Sequence, residues 1–385
     1  MSPQSKKEYL KAVWLRYKKA VLKTDKTKIL DEFCINCRLN RKYAIRRLRN
    51  FRIIRRKKAK NKPGPKPKYQ QPEFLAVLRQ IWITANLPCS KRLKAILPIW
   101  LPAYQQEFGS LQFEILKKLS KISPASIDRV LRPIKHLYRG KGKCATKPGL
   151  LLKHHIPIKL NQWDEKRPGF LETDTVMHCG NSIAGLYAVS TNTVDIATGW
   201  TEQRATYGKG QRDIAEKIKE IEASLPFAIL GFDCDNGNEL LNQTLLRYFL
   251  NRKIPVQYTR SRPYYKNDNA HVEGKNYTHI RQWLGYRRFE DPLIVGLLND
   301  LYKNEWRLFQ NFFLPSVKLQ AKERIGSKII KRHDSPKTPY QRILDSKFIS
   351  PQTKQTLKEL FKTLNPFKLR KTIDKKIAII HKLAR

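Results

Sequence analysis

Apolar positions at helical spacing dominate the first third of the chain. Over residues 26–51, Ile29, Leu30 and Phe33 share one helical face, the pattern breaks around Asn36 to Asn40, and it resumes with Tyr43, Ala44 and Leu48. This spacing predicts a helix-turn-helix. Its second helix carries Arg41, Lys42, Arg46, Arg47 and Arg49, a basic row suited to a groove and its phosphates. The Pro/Gly/Lys run KKAKNKPGPKPK at 57–68 has no means of packing a core and reads as a linker. A second helical block runs from about Tyr69 to His136. Within it Ser123 serves as N-cap, Pro124 as the first helical residue, and Ile127, Val130 and Leu131 face inward, a second helix-turn-helix candidate. RGKGKCATKPG at 139–149 is another basic linker.

From about Phe170 the period shortens to that of strands. Residues 170–178, 185–200 and 201–207 read as three strands, the first two rich in β-branched or aromatic side chains. A helix over 212–223, a strand over 227–232, a helix over 239–251, a strand over 256–259 and a long helical stretch from about Asn269 follow. The order β-β-β-α-β-α-β-α predicts a mixed α/β sheet domain. Beyond Leu314 the pattern is irregular to about Leu344, with strand-like 316–319 and 325–331. The chain ends in basic amphipathic helices that separate near Asn365-Pro366.

Charge sharpens this picture. The 385 residues hold 78 Lys and Arg against 32 Asp and Glu, a formal net charge of +46. Such an excess implies a polyanionic partner, with nucleic acid ahead of a membrane surface, because neutralised phosphates release condensed counterions. No apolar run is long enough to span a bilayer, and the N-terminal MSPQSKKEYLKAVW lacks a signal-peptide core, so an intracellular, soluble protein is expected. The charge is divided by region: residues 1–70 hold 24 bases and 4 acids, whereas residues 171–295 hold 15 of each. Basic flanks that hold phosphate, joined to a neutral core whose acids serve another purpose, account for that division. The 6 Cys do not form a disulfide framework in a chain this long. Cys34-x2-Cys37 has zinc-like spacing but no second pair, and is expected to pack as small hydrophobes.

Three acids of the neutral core sit where strand ends and a helix start can bring them together: Asp174 within the first strand, Asp235 after the fourth, and Glu273 in the first turns of the long helix. Oxygen ligands from a few carboxylates suit hard Mg²⁺, and two such ions serve an in-line displacement at phosphorus. Residue parity leaves alternatives. Asp233 shares a strand face with Asp235, Glu172 shares one with Asp174, and Asp268 competes with Glu273. The Arg260, Arg262 and Lys266 loop is a candidate grip on the cleaved strand. No Walker lysine motif, nucleophile elbow or dinucleotide fingerprint is present.

The segments ETDTV around Asp174, DCDNGNE around Asp235 and SRPYYKNDNAHVEGKNYTHIRQWLG around Glu273 together resemble the D, D and E blocks of bacterial insertion-sequence DDE transposases with a retroviral-integrase-type catalytic core. The resemblance spans about residues 165–290. It implies a ribonuclease-H-like core in which Asp174, Asp235 and Glu273 bind two Mg²⁺ (Mn²⁺ substituting), cleave DNA and join it through a 3′-hydroxyl. It selects Asp235 over Asp233, assigns Asn236 and Gly237 to shaping the turn, and leaves Glu172 structural or peripheral. Asn276, three residues after Glu273, matches the family pattern, while Lys275 and Arg281 stand near the family's two basic positions as substitute DNA contacts.

The expected fold class is therefore multidomain, with helical helix-turn-helix N-terminal modules, a central α/β ribonuclease-H-like domain and a small mixed or helical basic C-terminal region. The expected boundaries are a DNA-binding helix-turn-helix at 1–56, a linker at 57–68, a second helical DNA-binding module at 69–138 and a linker at 139–164. The catalytic core spans 165–312 and the basic C-terminal region 313–385. Double-stranded DNA, both element ends and target, is the expected partner of at least a dimer, in a bacterial cytoplasm and associated with the nucleoid. A repressor or structural protein built from an inactive transposase, and a nuclease of the same fold without strand transfer, are the rival readings.

Overall fold

A computed structural model describes residues 3–51, 68–138, 165–234, 239–240, 242–260 and 270–384. The chain divides into two compact units, Met1–Pro67 and Lys68–Arg385. In the first unit, α1 (Pro3–Lys19), α2 (Lys23–Cys37) and α3 (Arg41–Arg49) close around Leu10, Val13, Leu30, Phe33, Ala44 and Leu48. The turn between α2 and α3 is built from Arg38, left-handed at φ 51°, and Asn40, whose side chain accepts from the Lys42 N–H at 2.9 Å. An αL residue ends one helix and an Asn N-cap starts the next, so three residues suffice to reverse the chain. Cys34 and Cys37 lie within α2, Cys37 buried in this small core.

The second unit begins with α4 (Pro72–Thr84), α5 (Ser90–Phe108), α6 (Phe113–Lys121) and α7 (Pro124–Lys135). Ser123 caps α7 by accepting from the Ser126 N–H at 3.2 Å. A five-stranded sheet follows: β1 (Phe170–Met177), β2 (Ala188–Asp195), β3 (Thr201–Tyr207), β4 (Gly231–Cys234) and β5 (Gln257–Arg260), in the order β3-β2-β1-β4-β5. β1, β2 and β3 are antiparallel neighbours, while β1, β4 and β5 run parallel. Helices α8 (Gln211–Ser224) and α9 (Gln243–Leu250) cover one face, where Leu171, Phe232 and Cys234 meet Ile214, Ile218, Leu245 and Phe249.

The other face lies under a continuous helical run and then two further helices. The run comprises α10 (Ala270–Lys275), a π-helical segment (Asn276–Arg281) and α11 (Gln282–Leu284); α12 (Leu293–Leu301), a second π-helical turn (Tyr302–Trp306) and α13 (Arg307–Phe313) follow. A hairpin of β6 (Leu319–Ile325) and β7 (Lys328–His333) precedes α14 (Pro339–Asp345), α15 (Pro351–Thr363) and α16 (Pro366–Leu383). The capping is explicit: Thr338 and Gln341 form a capping box, and Ser350 and Asn365 accept from the first-turn N–H groups of α15 and α16.

Several sequence-based elements change in extent. The strand expected over 185–200 is confined to Ala188–Asp195, because Asp195 ends it: its carboxylate accepts from the Gly169 N–H at 2.8 Å and the Thr198 N–H at 2.7 Å. The strand expected over 227–232 shifts to Gly231–Cys234, where the pairing with β1 lies, and the helix expected over 239–251 starts at Gln243 behind an Asn242 cap. The irregular stretch after Leu314 contains the β6–β7 hairpin, which turns at Gly326 (φ 60°). Of the strand-like segments, 325–331 overlaps β7 and 316–319 meets β6 only at Leu319, since β6 has neither face covered and carries little alternation.

The helices of 72–135 and those at the C-terminal end share one hydrophobic core. Trp100 of α5 is fully buried, its indole N–H donates to the Phe313 carbonyl at 3.2 Å, and its ring stacks edge-on against Phe309, Phe313 and Phe367. Asn365 reaches the Ala103 carbonyl at 3.2 Å, and Arg370 reaches the Thr84 carbonyl at 3.0 Å while lying 4.3 Å over Trp283. Trp100→Ala is expected to destabilise this unit by about 3–5 kcal/mol, the range for deleting a large buried aromatic ring, as read by urea unfolding.

Candidate active site

The central strand sets the site. On β1, Glu172, Asp174 and Val176 point to the face covered by the α10–α11 run, and their register partners on β2 are Val194, Asn192 and Ser190. Asp174 is half-buried. One of its oxygens accepts from the Thr175 N–H at 2.7 Å and the other from the Asn276 side-chain amide at 2.6 Å. Both donors point at the carboxylate oxygens, a hard-donor pair of the kind that suits Mg²⁺.

Asn276 is itself held. Its oxygen accepts from Asn192 at 2.7 Å, the Asn192 oxygen accepts from Gln203 at 3.0 Å, and the Gln203 oxygen accepts from Gln310 at 2.6 Å. Asp174, Asn192 and Gln203 are direct cross-strand neighbours, so a row of polar residues crosses β1, β2 and β3 beneath the helices. Asn276 and Asn192 donate toward Asp174, while Gln203 and Gln310 bond each other reciprocally, Gln203 also donating to the Gln310 oxygen at 3.2 Å. Asn192, Gln203 and Gln310 are buried, where an unpaired amide would cost most.

Glu172 has a different task from the one its neighbourhood to Asp174 suggests. It is buried, and its carboxylate accepts from the N–H groups of His271 at 2.9 Å and Val272 at 3.0 Å, the first turn of α10. Burial, reinforced by Asp233 and Glu273, pushes this carboxyl up to about 8 against the two backbone hydrogen bonds. Asp233 is the register partner of Glu172 on β4 and accepts from the Thr259 hydroxyl at 2.6 Å.

The sequence-derived residues distribute as follows. Glu273 is exposed in the first turn of α10, on the helical run that carries Asn276 to Asp174. Lys275 is half-buried with its ammonium 3.1 Å from His279; burial, with Arg92 and Arg342 nearby, pushes it down to about 7. Arg281 donates to the Met177 carbonyl at 2.6 Å and lies 4.9 Å over the Tyr286 ring. Arg260 ends β5 opposite Cys234. Asp235, Asn236, Gly237, Arg262 and Lys266, with the rival Asp268, lie outside the described residues. In the first unit Lys42, Arg46 and Arg47 are exposed on α3, Arg46 and Arg47 within 5.9 Å and 5.8 Å of the Tyr43 ring, and Arg41 pairs with Asp31 of α2.

Among the described residues no group of three His, Cys, Asp or Glu side chains is placed to hold a metal ion. The donor set present, carboxylate oxygens with amide support, nevertheless matches Mg²⁺ rather than a softer ion. Asn192, Gln203 and Gln310 escaped sequence reasoning, although the densely polar strands STNTVD and TEQRAT were the available signal. Four consecutive polar residues in a strand put polar groups on both faces, so some must be buried and paired.

The fold and site define a mixed α/β sheet protein with an amide-braced carboxylate on its central strand. The chain is 32% identical over 347 residues, 89% of its length and 96% of the relative's, to "Uncharacterized protein y4rM" of Sinorhizobium fredii, and it belongs to that protein's family. No protein-family model matches it. Among solved structures it is similar, at 15% identity, to the catalytic core domain of BIV integrase, with a TM-score of 0.27 over 46% of this chain and 94% of that one. It is also similar to the HTLV-2 integrase catalytic core domain in complex with magnesium (dimeric form), at 15% identity and a TM-score of 0.28 over 39% and 91% of the two chains.

Glu172→Ala is expected to cost about 1–3 kcal/mol and to speed hydrogen exchange at the His271 and Val272 amides, because the buried Val272 N–H and the partly buried His271 N–H lose their acceptor. Glu172→Gln keeps an acceptor of the same shape and, because the Glu172 carboxyl is already raised to about 8, changes little charge at neutral pH, so its amide exchange should stay close to wild type.

Proposed function

We propose that this protein is a DDE transposase, an integrase-like recombinase that cuts DNA at the ends of an element and joins them to target DNA. The observation that carries the reading is the Asp174–Asn276 contact of 2.6 Å, which brings the helical run of Glu273 onto the central strand. Asp235 supplies the third acid. It follows Cys234, whose β1 partner is Thr173, the residue before Asp174.

Asp174, Asp235 and Glu273 would hold two Mg²⁺, or Mn²⁺ in their place. When bound, these ions activate the attacking oxygen and stabilise the leaving one in an in-line displacement at phosphorus. Asn276 holds the Asp174 carboxylate in place, while Asn192 and Gln203 keep Asn276 from turning. Water first breaks one phosphodiester bond at the element end and leaves a 3′-hydroxyl. That hydroxyl then forms a new phosphodiester bond in the target as the target's own 3′-oxygen leaves.

DNA is drawn by the basic flanks: Arg41, Lys42, Arg46 and Arg47 of α3, and Arg260, Arg262, Lys266, Lys275 and Arg281 around the site. Asn236 and Gly237 shape the turn beyond β4. Within this reading residues 1–56 and 69–138 recognise element ends, 165–312 carry the chemistry, and 313–385 hold DNA or a second protomer. Pairing two ends requires at least a dimer, acting in the bacterial cytoplasm at the nucleoid. No helix among the described residues is long and apolar enough to cross a membrane.

On supercoiled plasmid with Mg²⁺ or Mn²⁺, wild type is expected to nick and join, and Asp174→Asn and Glu273→Gln to bind DNA equally but show no product. Nicking without joining on cognate ends identifies a nuclease, and unchanged processing in both variants removes the catalytic reading. Asn276→Leu is expected to weaken Mn²⁺ binding roughly 10–100-fold, as loss of a ligand-orienting partner does, in a calorimetric titration that needs no DNA.

A further inference from the structure

The β6–β7 ribbon has a built root and a bare arm. At the root the Lys318 N–H donates to the Asp334 carboxylate at 2.6 Å, the Asp334 N–H returns to the Lys318 carbonyl at 2.9 Å, and Arg342 grips the second Asp334 oxygen at 2.6 Å. Ser316 and Lys337 exchange both backbone hydrogen bonds, and the Lys318 ammonium binds the Ile196 and Ala197 carbonyls beyond β2. Beyond that root every ribbon residue except Lys322 is exposed, including Ile325 at 56%, Ile329 at 51% and Ile330 at 41%. A two-stranded hairpin with neither face covered is marginal in water.

Its charge indicates what covers it. Residues 319–333 hold five Lys and Arg against a single acid, Glu323. The register places Lys322 directly opposite Lys331 and Arg324 opposite Ile329, so three cations crowd one face. Like charges directly opposite one another destabilise a ribbon, and a polyanion reverses that penalty. Two strands about 4.8 Å apart with their side chains fit a major groove about 12 Å wide. A second copy of the ribbon would set cation against cation on this face.

We propose that the β6–β7 ribbon is a double-stranded DNA-binding arm, with Lys322, Arg324 and Lys331 on phosphates. The arm stands on its own charge and shape, apart from the catalytic reading, although it would serve the recombinase by holding DNA beside the core.

The test is the binding of a fluorescent 30-base-pair duplex by the full chain in EDTA, across a salt series, so that no catalysis is involved. Lys322→Ala/Arg324→Ala/Lys331→Ala is expected to bind at least about 10-fold more weakly at 0.15 M salt, with the log–log salt slope lower by about 2–3 for three lost phosphate contacts. Lys322→Arg/Lys331→Arg should bind as wild type, and Glu323→Lys should tighten binding and steepen the slope, a gain that misfolding does not produce. If the alanine and Glu323→Lys variants keep the wild-type affinity and slope, the proposal is overturned. If Ile325→Ser/Ile330→Ser instead splits an oligomer in sedimentation while DNA binding is untouched by the alanines, the ribbon is a contact between copies of this chain.

Discussion

The acceptance of two helix N–H groups by Glu172 is the contact on which the site's geometry depends. A buried carboxylate on the central strand receives the His271 and Val272 amides at the start of α10. The first turn of a helix has donors without internal partners, so the Glu172 carboxyl oxygen beneath it satisfies two of them. With that end pinned to β1, the following residues come down over the same strand. Asn276 then reaches Asp174, two residues along β1 from Glu172.

The amide row extends this control across the sheet. A chain of side-chain amides leaves little choice of orientation once one end is an acceptor-only carboxylate, since Asn276 and then Asn192 must present their N–H₂ groups toward Asp174. Gln310 of α13 anchors the far end, so the helices packed beyond α10 also bear on the site. The cost of burying these groups is offset only when all are paired, which makes the row sensitive to any one loss.

Basic side chains are exposed in both units. Exposed Arg and Lys side chains line α3 in the first unit, and the ribbon between α13 and α14 carries another cationic face. Trp100 and Phe367 knit the helices that precede the sheet to those that follow it, giving the second unit a single support. Stability in the second unit comes from its apolar interior, so its surface charge is free of that task.

By itself the sequence determined the order of strands and helices, the turn between α2 and α3, the Ser123 cap of α7 and the neutral charge of the central segment. These are local properties: period, capping chemistry and composition act over a few residues. It also singled out Asp174 and Glu273 by residue type and setting, and carried the resemblance to DDE transposases. Tertiary structure alone decided that Glu172 caps α10, that Asn192, Gln203 and Gln310 line up behind Asn276, and that Trp100 packs against helices more than 200 residues away. Those pairings depend on strand register and helix placement, which are set by the packing of the whole unit. Of the ribbon, the strand-like 325–331 marked β7, whereas β6 left little alternation to read because both its faces lie in water.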